Sequence, residues 1–218
     1  MAGAISPFRP AIVFMLDLLD YRRRVTAMYT AVRENEDYET TCTQFRQARD
    51  DLFHHHSQSA LSPDQKAAFT GLRYYAYNPA YRVVAQIDQN VEPDILQVDL
   101  GEDGRLTYER FGQVKFTLPN GSGHLSLFWI KGYGGGVFLP FGDTTNKDIT
   151  YGAGRYLYDT IKGADLGTEG DSIILDFNYA YNPSCSYNAR WVCPLAPAEN
   201  RLSFPVFAGE MLANIPLE

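Results

Sequence analysis

The stretch Gln113-Val114-Lys115-Phe116-Thr117-Leu118 decides the fold class, because polar and apolar residues alternate along it. A period of two residues predicts a strand with one buried face, which is typical of antiparallel sheets. Asn120-Gly121 follows as a hairpin signal, and Asp103-Gly104 marks an earlier hairpin. Residues 125–130 are apolar on both faces, so we expect them to form a central strand.

The first third of the chain has a helical period instead. Apolar residues recur along one face of a first helix, and a second set follows after a break at residues 35–37. Ser62-Pro63-Asp64-Gln65 has the form of a capping box, which predicts the start of a short helix that stops near Gly71. The two apolar sets are Tyr21, Val25, Met28, Tyr29 and Val32, and then Phe45, Ala48, Leu52 and Phe53.

These patterns predict an α+β fold in which N-terminal helices pack on an antiparallel β-sandwich or a small β-barrel. We expect one domain over residues 1–218, with a helical part at 11–70 and a β-rich part at 80–218. The length is ordinary for a single core.

Composition restricts the partners and the compartment. The formal net charge is −7, which argues against a nucleic-acid partner. The apolar run at residues 11–16 precedes the basic run at 22–24, the reverse of a secretory signal. That run is also shorter than the ~20 residues that cross a bilayer. We therefore expect a cytoplasmic protein without a membrane partner, and the sequence leaves the oligomeric state open.

The sequence predicts no metal and no cofactor, although its cysteines leave alternatives open. Cys185 and Cys193 could be buried structural thiols, a disulfide, or a site of metal or redox chemistry. Cys42 lies at a helix start and is expected to be inert. Residues 54–56 are three consecutive histidines, whose side chains point in different directions and cannot all bind one ion. No common hydrolase motif or phosphate loop is present, so the sequence does not decide whether the protein is an enzyme.

Polar residues at expected strand ends supply the candidate site. Arg155 follows Gly152-Ala153-Gly154 and could anchor a small anionic ligand. An internal ion pair of Arg155 with Asp143 or Asp176 is the alternative. We expect a soluble small-ligand-binding protein whose pocket is lined by Arg155, Tyr156, Asp176, Asn178, Tyr181 and Asn182.

Two other functions remain open at this point. The protein could be a hydrolase or an isomerase with Asp143 or Asp176 as the base and Arg155 as an electrostatic stabiliser. The same polar residues could also serve only to hold the fold together.

Several long motifs in order also resemble an uncharacterised bacterial family called domain of unknown function 1684. The resemblance rests on Leu18-Leu19-Asp20-Tyr21-Arg22-Arg23-Arg24-Val25 and on residues 68–75, 138–145, 150–157 and 175–202. The family typically shows His-Pro-x-Ser-Pro-Leu after the second helix, where this chain has His56-Ser57-Gln58-Ser59-Ala60-Leu61. His56 matches the family position and is therefore added to the candidate ligand-binding residues. The resemblance implies no activity and no cofactor.

Overall fold

A computed structural model describes residues 9–99, 101 and 104–215 of the chain. Three helices come first: α1 (Arg9–Glu34), α2 (Tyr38–His55) and α3 (Pro63–Ala67). The side chain of Asp37 caps α2 by accepting a hydrogen bond from the backbone N–H of Thr40. The two long helices that the periodicity predicts are confirmed.

The short helix α3 begins where its capping box predicts. The Ser62 hydroxyl oxygen accepts from Gln65 N at 3.2 Å, and Ser62 N donates to Gln65 Oε1 at 2.9 Å. The end comes earlier than the sequence suggests, because Ala68 already caps the helix and Gly71 lies beyond it. Gly71 has a φ of +115° and serves the following loop instead.

Eight strands follow the helices and pair in antiparallel fashion throughout the described chain. The bounds are β1 (Arg82–Asp88), β2 (Ile95–Asp99), β3 (Arg105–Leu118), β4 (Gly121–Lys131), β5 (Gly136–Phe141), β6 (Arg155–Asp159), β7 (Thr168–Glu169) and β8 (Ser172–Asp176). In spatial order the sheet runs β6–β5–β4–β3–β1–β8–β7, and β2 pairs with β3.

The strand signals of the sequence are found in this sheet. Leu118 pairs with Gly121 across the hairpin that Asn120-Gly121 predicts, and β4 lies between β3 and β5 as a central strand. Asp99 pairs with Arg105 across the earlier hairpin, although Asp103 of its predicted turn lies outside the described residues. The α+β class with an antiparallel, curled sheet is therefore confirmed. Its closure into a barrel or its division into a sandwich stays a prediction, as does the single domain.

The core lies between the helices and the concave side of the sheet. Val114, Phe116 and Leu118 of β3 are buried, as their alternation predicts. Phe45 of α2 packs edge-on against Tyr29 of α1, with ring centroids 5.1 Å apart. These contacts make the helical part and the sheet share one apolar cluster.

The beginning of α1 contributes little to that core. Each of the residues 12–16 is more than half exposed, so these side chains lie outside the buried core of the described chain. No helix in that part has the length and apolar character needed to cross a membrane.

One buried asparagine contributes to binding an irregular C-terminal segment to the sheet. Asn200 is fully buried, and its Nδ2 donates to the carbonyl oxygens of Ser126 at 2.9 Å and Pro140 at 2.8 Å. Its Oδ1 accepts from Ser126 N at 2.8 Å. One side chain therefore fastens this segment to both β4 and β5.

We predict that Asn200→Ala lowers the free energy of unfolding by about 3 kcal/mol, because three buried hydrogen bonds are lost and their partners stay unsatisfied. Urea unfolding followed by circular dichroism measures the change. Asn90→Ala, at an exposed side chain, is the control and should change the free energy of unfolding by less than about 0.5 kcal/mol. Equal effects of the two substitutions would contradict the prediction.

Candidate functional site

A cleft of about 560 Å³ opens where the helices meet one edge of the sheet. Its wall consists of the connection between α1 and α2, the segment that precedes β7, and the paired ends of β1 and β8. Arg82 and Asp176 are direct partners in the register of β1 and β8, and both line the cleft. The pairing of these two strands, which are far apart in the sequence, therefore places an arginine and an aspartate at opposing positions of the sheet.

Asp176 is the buried carboxyl of this cleft, with only 2% of the residue exposed. Its Oδ1 accepts from Asn178 N at 3.0 Å and from Asn178 Nδ2 at 2.9 Å. Its Oδ2 has no hydrogen-bond partner among residues 9–99, 101 and 104–215. Burial raises the pKa of Asp176 to about 6, against the opposing hydrogen bonds of Asn178 and the attraction of Arg82.

Asn178 positions this carboxyl, and its side chain is fully used in doing so. Its Oδ1 accepts from Asn78 N at 3.0 Å, while its Nδ2 also donates to Asn78 O at 2.9 Å. The amide therefore joins the turn after β8 to the segment before β1 and holds Asp176 Oδ1 in place.

Arg82 is held above the ring of Tyr38, with its guanidinium carbon 4.5 Å from the ring centroid. One of its nitrogens lies 3.8 Å from Glu169. The other arginine of the cleft, Arg33, donates to the carbonyl oxygen of Asp165 at 2.6 Å. Five carboxyl groups line the cleft, against two guanidinium groups, so the lining is acidic. The five belong to Glu34, Glu36, Asp165, Glu169 and Asp176.

Arg155 is buried outside this cleft. Its Nη2 donates to Asp143 Oδ2 at 2.8 Å, so the structure contains the internal ion pair that the sequence leaves as an alternative, with Asp143 as the partner. Its guanidinium also donates to three carbonyl oxygens of the C-terminal segment. These belong to Val206 at 3.0 Å, Ala208 at 2.5 Å and Glu210 at 3.2 Å.

The carboxyl of Asp143 is occupied on both oxygens. Oδ1 accepts from Thr145 N at 2.7 Å and from Thr145 Oγ1 at 2.5 Å, while Oδ2 accepts from Arg155. Asp143 therefore differs from Asp176, which keeps one oxygen without a partner in the described chain. Catalytic roles for the two carboxyls, and the ligand role of Arg155, stay predictions.

The remaining predicted residues near Arg155 belong to a buried network beneath the C-terminal segment. The Tyr156 hydroxyl donates to the Pro194 carbonyl, and Tyr156 and Tyr181 exchange backbone hydrogen bonds at 2.8 and 3.0 Å. Asn182 Nδ2 donates to Met211 O at 2.9 Å. These three residues therefore lie together, but away from Asp176, and ligand roles for them stay predictions.

A second buried ion pair borders that network. Arg49 Nη2 lies 3.1 Å from Glu210 Oε2, which also accepts from Asn182 N at 3.2 Å. Burial raises the pKa of the Glu210 carboxyl, while Arg49 acts in the opposite direction. Sequence reasoning missed this pair, because no local pattern connects a helix residue with a residue 161 positions later.

His56 lies in a third place, at the end of α2. Its Nε2 is 3.2 Å from Asp20 Oδ2, and its Nδ1 accepts from Gln58 N at 3.0 Å. The hydrogen bond from His56 lowers the pKa of Asp20. His56 therefore connects α1 to the loop after α2, and its role as a ligand-binding residue stays a prediction.

Of the predicted site residues, the structure thus places Asp176 and, behind it, Asn178 at the cleft. The sequence analysis did not select Arg82, Tyr38 or Arg33. Only the pairing of β1 with β8 would have revealed Arg82. In the described part of the chain, no three His, Cys, Asp or Glu side chains form a group that could hold a metal ion.

The fold and the cleft together define an α+β protein with a curled antiparallel sheet and an acidic cleft at the sheet edge. The chain belongs to the family described as "Protein of unknown function (DUF1684)", whose model matches residues 67–211. That range contains Arg82, Asp143, Arg155 and Asp176, whereas Tyr38 precedes it.

A solved structure supports the same assignment. The chain is 33% identical to an uncharacterized protein of Haloarcula marismortui, whose structure was determined by solution NMR. The similarity covers 81% of this chain and 95% of that one, with a TM-score of 0.57. No curated protein matches the chain.

We predict that Arg155→Met lowers the free energy of unfolding by about 3–5 kcal/mol, because the Asp143 carboxylate would stay buried without its partner. The double variant Arg155→Met/Asp143→Asn should recover part of the loss. Arg105→Met, at an exposed position, is the control. Urea unfolding measures all three, and a loss below about 1 kcal/mol for Arg155→Met would contradict the prediction.

We also predict that Asp176 makes stability depend on pH. Its pKa is about 6 in the folded state against 3.8 ordinarily, so the folded state binds more protons between about pH 4 and 6. The free energy of unfolding must therefore fall as the pH rises through this window, by up to about 3 kcal/mol.

Asp176→Asn removes that dependence while keeping an oxygen to accept from Asn178. The free energy of unfolding of the variant minus that of the wild type should therefore be larger at pH 7 than at pH 4. Urea unfolding at both values measures the difference, with the exposed Asp148→Asn as the control. A stability difference between variant and wild type that is the same at both pH values would contradict the prediction.

Proposed function

We propose that the protein binds a small polar ligand in the acidic cleft, with Asp176 as the principal recognition residue. One observation carries the proposal: Asp176 Oδ2 belongs to a nearly fully buried carboxyl, lines the cleft, and lacks a hydrogen-bond partner in the described chain. A carboxyl oxygen that lines a cleft and is not engaged within the described chain is a place where a ligand donor can bind.

The charge of the lining supports a class of ligand. Five carboxylates face two arginines that are already held, Arg33 by Asp165 and Arg82 near Glu169. A ligand with hydroxyl or ammonium donors complements this lining better than an anion does. The anionic ligand expected from the sequence depended on Arg155, whose terminal nitrogens are bonded within the protein.

The side chains around Asp176 would give such a ligand both orientation and contact area. The Tyr38 ring, under the Arg82 guanidinium, offers an aromatic face, and Leu166 and Ile174 add apolar surface. The volume of the cleft fits a small molecule.

A second candidate function is general acid–base catalysis in the same cleft, as in a hydrolase or an isomerase. The observation that favours it is the pKa of Asp176 of about 6, because a general base works best when its pKa lies near the working pH. Arg82, rather than Arg155, would then be the electrostatic stabiliser. The cytoplasmic location and a barrel-like closure of the sheet likewise remain proposals.

The test is a binding screen by saturation-transfer-difference NMR with four compound sets: aliphatic diamines, amino sugars, neutral polyols and dicarboxylates. We expect hits among the donor-bearing compounds and none among the dicarboxylates. In calorimetric titrations, a hit should bind Asp176→Asn at least about tenfold more weakly than it binds the wild type, because a hydrogen bond to a charged group is lost. For an ammonium-bearing hit, affinity should rise between pH 5 and pH 7 as Asp176 ionises.

Arg105→Gln, outside the cleft, is the matched control and should leave the affinity unchanged. Circular dichroism of Asp176→Asn checks that the fold persists. Binding that is equal in Asp176→Asn and wild type would overturn the proposal. The catalytic function would be established instead if the wild type converts a bound compound into a product and Asp176→Asn still binds the compound but no longer converts it.

A further inference from the structure

A loop that follows β8 closely in the sequence brings two cysteines together. Cys185 and Cys193 are separated by seven residues, yet Cys185 N donates to Cys193 Sγ at 3.3 Å. Both cysteines are half-buried, and neither is in a disulfide in this structure. The two cysteines at the ends of this loop are thus in direct contact.

The surroundings of the two sulfur atoms are not equivalent. The Tyr151 hydroxyl donates to Cys185 Sγ at 3.6 Å, whereas Cys193 Sγ accepts from the backbone N–H of Cys185. Lys162 adds a positive charge nearby, on a side chain that is 64% exposed. A side-chain hydrogen bond with Cys193 contributes most to lowering the pKa of Cys185 to about 7, and the same hydrogen bond raises the pKa of Cys193 well above its usual value.

The third cysteine shows what an inert thiol looks like in this protein. Cys42 is fully buried in α2, and burial raises its pKa to about 11. No partner cysteine lies next to it among the described residues. Greater exposure and a neighbouring cysteine therefore distinguish Cys185 from Cys42.

We propose that Cys185 and Cys193 form a reversible dithiol–disulfide couple that reacts with low-molecular-weight disulfides, with Cys185 as the attacking thiolate and Cys193 as the resolving thiol. This site is separate from the acidic cleft and does not depend on the function proposed for Asp176.

The reaction balances as two thiol–disulfide exchanges. Cys185 loses its proton, and its thiolate attacks one sulfur of R–S–S–R, which forms a mixed disulfide and releases one RS⁻. Cys193 then loses its proton and attacks the Cys185 sulfur, which closes the intramolecular disulfide and releases the second RS⁻. The two thiolates take up the two protons, so the protein loses two hydrogen atoms and the small disulfide becomes two thiols.

Glutathione disulfide is the probe for the test. The full chain is reduced, freed of reductant, mixed with the probe at pH 7 and quenched with acid at intervals, and intact mass and peptide mapping follow the products. We expect the wild type to lose two hydrogen atoms and to carry a Cys185–Cys193 bond. Reduced glutathione in excess should reverse the reaction.

Single variants separate the two roles. Cys193→Ser should stop at one glutathione adduct on Cys185, because the resolving thiol is missing. Cys185→Ser should react about tenfold more slowly, because the remaining thiol lacks a low pKa. Cys42→Ala is the matched control and should behave as the wild type.

Tyr151→Phe keeps both thiols and tests the mechanism even if a cysteine variant fails to fold. Loss of the hydrogen bond to Cys185 should shift the midpoint of the rate–pH profile upward. Four results would overturn the proposal: equal reactivity of both single variants, adducts mainly on Cys42, a disulfide that excess glutathione cannot reduce, or an unchanged pH profile in Tyr151→Phe.

Discussion

The hydrogen bonds of the Arg155 guanidinium are the interaction on which the C-terminal third of the structure depends. It is fully buried at the start of β6 and bonds both Asp143 and the backbone of the segment at 206–210. That segment in turn contacts the turn after β8, since Glu210 N donates to Ala180 O at 2.8 Å. Gly209 adopts a φ of +76° there, and a Cβ would meet Ala180 O at 2.6 Å. The segment that accepts from Arg155 therefore also contacts the turn that follows Asp176.

Two carboxyls with similar sequence surroundings have different physical states because of their partners. Asp143 and Asp176 both end apolar stretches, and both are buried. Asp143 accepts hydrogen bonds on both oxygens and faces a guanidinium, so its charge is compensated. Asp176 has only the bonds from Asn178 and a more distant arginine, so burial dominates its pKa. A buried carboxyl is therefore a better site candidate when its partners are incomplete.

Local patterns were sufficient for the elements but not for the site. Helical period, alternation and the capping box predicted α1 to α3 and the β3–β4 hairpin, because each depends on neighbours a few residues away. The residue types of Asp176 and Arg155 made both of them candidates for a site. The sequence could not show that the guanidinium of Arg155 is bonded within the protein while one oxygen of Asp176 is not. Arg82 was identified as a cleft residue only from its strand pairing with Asp176. The contact of Cys185 with Cys193 was identified only from the folded loop. Such contacts are set by tertiary packing, which a single sequence does not encode locally.

The partners of Arg155 have a consequence for how this domain is built during synthesis. The three carbonyl oxygens that accept from its guanidinium lie 51 to 55 residues later in the chain. While the ribosome extends the chain from its N-terminus, β6 emerges before those acceptors exist. Of its four acceptors, only the Asp143 carboxylate is made before Arg155, so three of these hydrogen bonds must form later. The full set of hydrogen bonds that compensates the buried charge at the start of β6 is therefore completed only after residues 206–210 have been synthesised.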